Sequence, residues 1–428
     1  MATSPAGLSA IFCEIRRQPS KVKFVYRAII SVSFDFRTCY DSSNEAGFGS
    51  YKTGRREAQA MKLGFFTMPM HPLDKDWRLS LKEDREAFLL ADELGFAEAY
   101  VGEHSTDRAE NITSCIAFIA WIAAATKRIK LGTGTINMPN THPAALAASL
   151  AMLDHMLDGR LIFGISPGGL LSDAEAFGNL DANRNEMFLE AINQVLEIWS
   201  GEAPYNIKGK YWNISTERHL IEDIGQGIIA RPLQRPHPPI VVTAVAPFSK
   251  GVTEAAARGW DPISANFLMP AWVKSHWPKY VEGCERGGRA ADPANWRVAK
   301  SVFVAKDAAK AKAYATDPDS PYVNYYHSLF TKLKKNGRIE LFKTRRDQPD
   351  DEVTLESICE RLIIYGTPDS VADQLLAFQD EVGTFGTLLY AGKDWKDREL
   401  GRESMILMAE KVMPQVNAGS SKQRSAAE

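Results

Sequence analysis

The pair Glu103-His104 sets a carboxylate beside an imidazole, and a second imidazole, His71, lies in Met68-Pro-Met-His-Pro72. Small and hydroxylic residues gather at Gly132-Thr-Gly-Thr-Ile-Asn137 and Ser166-Pro-Gly-Gly169. A further segment, Ala246-Pro-Phe-Ser-Lys-Gly251, precedes Asn266-Phe267. Each follows an apolar run of strand type. The segments at Ser166 and at Phe248–Gly251 also introduce helical runs, where unpaired backbone N–H groups and the helix dipole favour an anion. Such a set suits a flat, largely apolar cofactor carrying a phosphate, although glycine after a strand is equally the mark of a plain turn. There is no H-E-x-x-H or carboxylate-rich spacing for a metal, no G-x-S-x-G elbow, no Walker loop and no G-x-G-x-x-G fingerprint. A barrel hydrolase or lyase would want paired carboxylates at strand ends, and only Glu103 qualifies clearly.

These segments need elements that bring them together. From Met61 onward, strand-type runs alternate with helical ones, the rhythm of a parallel sheet covered by helices. Eight strands are expected, at Lys62–Thr67, Glu98–Glu103, Ile129–Gly134, Arg160–Ile165, Ile240–Ala244, Pro262–Asn266, Arg297–Ala305 and Thr387–Ala391. Several are nearly continuous apolar runs, as strands buried on both faces should be. Eight predicts closure into a (β/α)8 TIM barrel, with the site at the carboxyl ends of the strands. Helices are expected over Leu81–Leu94, Ile112–Thr126, His142–Asp158, Arg184–Trp199, Phe248–Arg258, Pro270–Arg286, Ser370–Glu381 and Arg398–Val412. Two segments exceed ordinary connections, Gly201–Pro238, with a hairpin arm at Lys208–Ile214, and about Asp317–Thr354. Both read as insertions that shape the site.

Composition narrows the class. The chain has 428 residues, 45% hydrophobic and 24% charged, and 51 basic against 53 acidic side chains leave a formal charge of −2. No basic field exists to gather nucleic acid or an anionic membrane, and no apolar stretch is long enough to span a bilayer. The five cysteines, Cys13, Cys39, Cys115, Cys284 and Cys359, are widely spaced and never form C-x-x-C, so a reducing cytoplasm fits. The first 60 residues carry nine basic and five acidic side chains and no period that could pack a face. They read as an appendage, either a disordered extension or a start-site artefact ahead of Met61. The tail 415–428 is small and polar and reads as disordered, which leaves 61–414 as the barrel.

Four segments in this order carry a resemblance: Tyr100-Val-Gly-Glu-His104, Leu131–Pro143 (LGTGTINMPNTHP), Leu153–Gly169 (LDHMLDGRLIFGISPGG) and Ile364–Val371 (IYGTPDSV). Residues from about Met61 to Met413 resemble the bacterial luciferase-like flavin-dependent monooxygenases, most closely the limonene 1,2-monooxygenase-type branch. The resemblance implies reduced FMN as cofactor, O2 as co-substrate, a separate flavin reductase, a small apolar organic substrate receiving one oxygen atom, and a homo-oligomer. It also implies site residues. Glu103 and His104 would line the isoalloxazine, with His104 as general base or hydrogen-bond donor. A non-proline cis peptide would fall at Gly134-Thr135, and Asn137 would meet the flavin's polar edge. Arg184 matches an arginine that pairs with the flavin phosphate. Bacterial luciferase carries a second arginine where this chain has Pro167, so phosphate binding would lean on Ser166, Gly168 and Ser249, with Phe267 among the aromatics beside the ring. His142 and His155 read as structural or surface residues. Two rival readings remain: a deazaflavin-dependent dehydrogenase on the same fold, and a non-catalytic flavin-binding protein.

Overall fold

The computed structural model describes residues 60–427, with side chains to residue 420. The expectation for residues 1–60 lies outside this range apart from its last residue. Eight parallel strands form the centre: β1 (Lys62–Thr67), β2 (Glu98–Val101), β3 (Lys130–Thr133), β4 (Leu161–Ser166), β5 (Ile240–Ala244), β6 (Asp261–Ser264), β7 (Arg297–Val304) and β8 (Thr387–Gly392). The ring closes because β8 pairs with β1 (Phe65 opposite Tyr390) and β7 pairs with both β6 (Val298 opposite Ser264) and β8. All eight expected strands are present. A ninth segment, Ile363–Gly366, was not anticipated; it runs parallel to the upper half of β7, from Ser301 to Val304, after β7 has left the ring.

The barrel interior is filled by one small cluster drawn from six strands: Tyr100, Ile162, Val241, Ile263, Ala299 and Leu389, with Phe66 packed on it. Tyr100 fits only because β3 offers glycine beside it; a Cβ on Gly132 would lie 2.5 Å from the Tyr100 ring. At the amino ends of the strands, Arg297 Nε donates to Glu98 Oε1 at 2.6 Å. The larger apolar core lies between sheet and helices. The covering helices are α1 (Trp77–Glu93), α2 (Cys115–Ala123), α3 (Pro143–Met156), α4 (Arg184–Ser200), α5 (Lys250–Ala257), α6 (His276–Arg286), α7 (Pro368–Val382) and α8 (Arg398–Leu407). Local chemistry sets their starts: Asp76 accepts from Arg78 N and Leu79 N, and Ser114 accepts from Ala117 N. His142 caps α3 in the same way, accepting from Ala144 N, so it is the structural residue expected. No described helix is long and apolar enough to cross a membrane.

The insertions occupy different ends. Gly201–Pro238 connects α4 to β5, so it enters at the amino ends of the strands and is no βα loop, which corrects the expectation that it forms a wall of the site. Its hairpin, Asn206–Lys208 against Asn213–Ser215, lies along α4, with Lys210, Tyr211 and Trp212 donating backbone N–H groups to Glu190. The second insertion follows β7 at the carboxyl ends. Its main element is a helix, Pro321–Lys335, whose Tyr325 and Tyr326 hydroxyls bond Asn266 beyond β6. The expected disordered tail is also corrected. Met413–Ala427 is helical, Val416 is buried, and the Asn417 amide accepts from Met61 N and donates to Met61 O.

Candidate active site

A continuous hydrogen-bonded chain links the carboxyl ends of β2, β3 and β4. Glu103, just past β2, accepts from Cys115 N at 3.0 Å at the start of α2 and from Asn137 N at 3.3 Å. Its backbone oxygen accepts from Asn137 Nδ2 at 3.3 Å. The pairing of Ile136-Asn137 with Ile165-Ser166 then sets Asn137 beside Ser166, whose hydroxyl donates to Asn137 Oδ1 at 3.2 Å. The same hydroxyl accepts from Thr135 Oγ1 at 2.8 Å and from Gly168 N at 3.2 Å, so its one proton and two lone pairs are all engaged. Gly168 has φ +80, and its carbonyl accepts from the Arg184 guanidinium at 3.1 Å. The peptide Gly134-Thr135 is cis, where the resemblance puts it. Six expected residues, Glu103, Thr135, Asn137, Ser166, Gly168 and Arg184, thus belong to one network, and Gly134 adjoins it.

His104 stands beside this chain in a separate, charged cluster. Its Nδ1 bonds Asp173 at 3.0 Å, and its Nε2 lies 3.5 Å from Glu110 Oε2. Asp173 is held in turn by the Thr106 N–H and hydroxyl. Burial alone would depress this imidazole, but the Glu110 charge and the Asp173 hydrogen bond outweigh burial and raise its pKa. Flanked by two carboxylates, the imidazole donates from both nitrogens when protonated and from one when neutral. A small pocket beside it is lined by Met68, Glu103, His104, Glu110 and Ile112.

Ser249 and Phe267 sit beyond β5 and β6. Ser249 occupies the first position of α5 without a capping hydrogen bond from its side chain, and Phe267 is half-buried. Neither joins the network around Ser166 among the described residues. Phe248, with φ +51, exposes its ring to the Arg346 guanidinium at 4.8 Å.

Three charged groups at this end carry geometry that the strand-end reading did not assign. His71 is buried between Asp394, 2.6 Å from Nδ1, and Asp84, 3.2 Å from Nε2. Burial opposes its charge, yet the hydrogen bonds to Asp394 and Asp84 push its pKa up to about 9. His71, Glu83 and Asp394 are close enough to hold a metal, but Lys75 Nζ already bonds Glu83 and Asp394 at 2.6 Å each, so an ammonium fills that place. Lys393, just past β8, has the opposite fate. It is buried, its Nζ lies 3.8 Å from the Tyr325 ring centroid and 3.3 Å from two backbone carbonyls, and burial pushes its pKa down to about 7. Lys332 is the third, reaching Glu110 from the insertion helix. Neither lysine was singled out in the sequence: the position of Lys393 just past the last strand was the signal that could have found it, and nothing local marks Lys332. A larger cavity, about 660 Å³, opens between Met70, Pro72, Pro321, Val323 and Leu355, on the other side of that helix.

Comparison with known proteins gives a consistent family. The luciferase-like monooxygenase family model matches residues 61–384. The chain is 31% identical to 4-hydroxyprotoasukamycin monooxygenase of Streptomyces nodosus subsp. asukaensis over 84% of this chain and 93% of that protein. It is 26% identical to limonene 1,2-monooxygenase of Rhodococcus erythropolis, covering 83% and 86%. Its fold superposes with TM-score 0.75 on the oxygenating constituent of 3,6-diketocamphane monooxygenase of Pseudomonas putida, a type II Baeyer-Villiger enzyme solved with FMN. That pair is 25% identical, over 84% of this chain and 99% of the other. F420-dependent oxidoreductases are among the more distant matches.

Proposed function

The chain belongs to the luciferase-like monooxygenase family, and on that premise we propose that it uses reduced FMN and O2 to insert one oxygen atom into a small apolar organic substrate, limonene-like in size. A separate reductase supplies the reduced flavin in the cytoplasm. The observation that carries this reading is the network from Glu103 through Asn137, Ser166 and Thr135 to Gly168 and Arg184.

The residues fit FMN. Asn137, Thr135 and Ser166 form a polar edge beside the cis peptide, over an interior floored by Phe66 and Tyr100. For the phosphate, Gly168 leaves room, a Cβ on Gly169 would meet nothing within 4 Å, the Ser249 hydroxyl is not spent on its helix, and Arg184 is fixed at the rim. When bound, the reduced flavin would supply the electrons that activate O2. The chain's own work is positional. Glu103 holds Asn137 in place, Arg184 meets negative charge, and His104, when protonated, offers a proton donor. The small apolar substrate is drawn from the relatives, limonene 1,2-monooxygenase among them.

Two measurements test the reading. Calorimetry should show FMN binding more tightly than riboflavin, and reduced FMN with labelled dioxygen should place one labelled atom in the product of a terpene or cyclic ketone. Absence of flavin binding in either redox state would overturn it. A second reading, hydride transfer with a deazaflavin, draws on the F420-dependent relatives. It wins if reduced F420 binds and no oxygen is incorporated with FMN.

A further inference from the structure

The helix Pro321–Lys335 extends from β7 toward the loop after β2, and its last turn brings an ammonium into the acid cluster around His104. Lys332 Nζ bonds Glu110 Oε1 at 2.9 Å and also pairs with Asp107. The second oxygen of Glu110, Oε2, is buried with no hydrogen-bond partner and lies 3.5 Å from His104 Nε2. One carboxylate therefore faces an ammonium and an imidazole, each through a different oxygen.

We propose that Glu110 and Lys332 are a positioning pair for His104: Glu110 holds the Nε2 side of the imidazole and stabilises its charge, and Lys332, delivered by the insertion helix, tempers that hold. The charged groups facing His104 are Asp173 from the short helix Leu171–Ala176, Glu110 and Asp107 from the loop after β2, and Lys332 from the insertion. Glu103, its chain neighbour, is turned toward α2 and Asn137. Coulomb's law fixes the signs. Removing a nearby anion makes the imidazolium easier to deprotonate, and removing the nearby cation makes it harder. The seating of an element more than 200 residues away is thereby felt at the imidazole. The inference rests on the reading that His104 serves the flavin site, but the contacts that carry it do not involve flavin.

The test is a pH titration of ring-labelled histidines in the full chain without flavin, with the His104 signal assigned by its loss in His104→Gln. Glu110→Gln should lower the His104 midpoint, Lys332→Met should raise it, and Lys332→Arg should restore the unmodified value. A merely structural role predicts no shift, or shifts of the same sign in both variants, and either result overturns the proposal. Should Glu110→Gln fail to fold, the lysine pair decides alone: a rise in Lys332→Met that Lys332→Arg reverses supports it, and an unmoved midpoint overturns it. FMN titration of the unmodified chain is read separately, so failure of the flavin reading and failure of the positioning pair are distinguishable.

Discussion

Single residues at the mouth divide by what their charge must face. Arg184 is held by one carbonyl and otherwise points to the rim, so Arg184→Ala should weaken FMN about 10- to 100-fold, the worth of a charged hydrogen bond. Riboflavin affinity, lacking a phosphate to lose, should stay unchanged in the same calorimetric series. His71 and Lys393 make opposite statements about pH. His71 titrates near 9 when folded against an ordinary value of 6.5, so its contribution is complete below about pH 6.5 and fades as pH rises through 9. The pH-dependent part of the cost of His71→Gln should be roughly 3 kcal/mol at pH 6 and should be gone by pH 10, so the gap between the two chains narrows by about that amount across this range. Lys393 titrates near 7 when folded and 10.5 when free, so the unfolded chain holds the proton across that window and stability rises with pH through it. Lys393→Met removes a buried amine that pairs with no carboxylate among the described residues. It should raise stability by up to roughly 4 kcal/mol below pH 7 and by progressively less toward pH 10.5, as chemical denaturation would show.

Elements show why the mouth is assembled from three strands rather than one motif. The first insertion is fastened to α4 chiefly through Glu190, which takes the backbone N–H groups of Lys210, Tyr211 and Trp212 at 2.8–2.9 Å, with Glu186 bonding the Lys210 and Tyr211 side chains and Gln194 donating to the Trp212 carbonyl. Glu190→Ala leaves all three unpaired, and limited proteolysis should cut 206–215 several-fold faster than in the unmodified chain. Flavin binding should be unaffected, because this arm enters from the amino ends of the strands. The second insertion behaves differently. Its tyrosines bond Asn266 and Ser301, Asn324 bonds Met70 O, and Lys332 reaches Glu110, so three sides of the rim fasten it.

At the scale of the whole molecule, the carboxyl-terminal helix closes the chain onto its first strand. Val416 is buried, and both polar ends of the Asn417 amide pair with Met61. Truncation after Met413 should lower the melting temperature by roughly 5 °C, the effect of losing one buried aliphatic side chain, the two Asn417–Met61 hydrogen bonds and the more exposed ones of Gln415 to Asp369 and Ser420 to Gln379 in a chain of this size. A melting curve unchanged by that truncation would make the helix dispensable.

Local information determined the alternation of eight buried strands with amphipathic helices, the hairpin arm and the capping role of His142. Each depends on residues within a few positions of one another, where periodicity and backbone chemistry act directly. The segments holding Thr135, Asn137 and Ser166 were legible as strand ends that a parallel barrel sends to one rim, whereas Arg184 and the flavin role of Asn137 came only from the family resemblance. Tertiary structure alone decided the electrostatics. His104 meets Asp173 and Glu110, Glu110 meets Lys332, and His71 meets Asp394 across separations of up to 323 residues. No periodicity encodes such encounters, because a charge's pKa answers to whatever folding brings within a few ångströms. The tail was misread on the same ground: its composition is polar, but Val416 is buried and Asn417 meets Met61 only once the chain has folded.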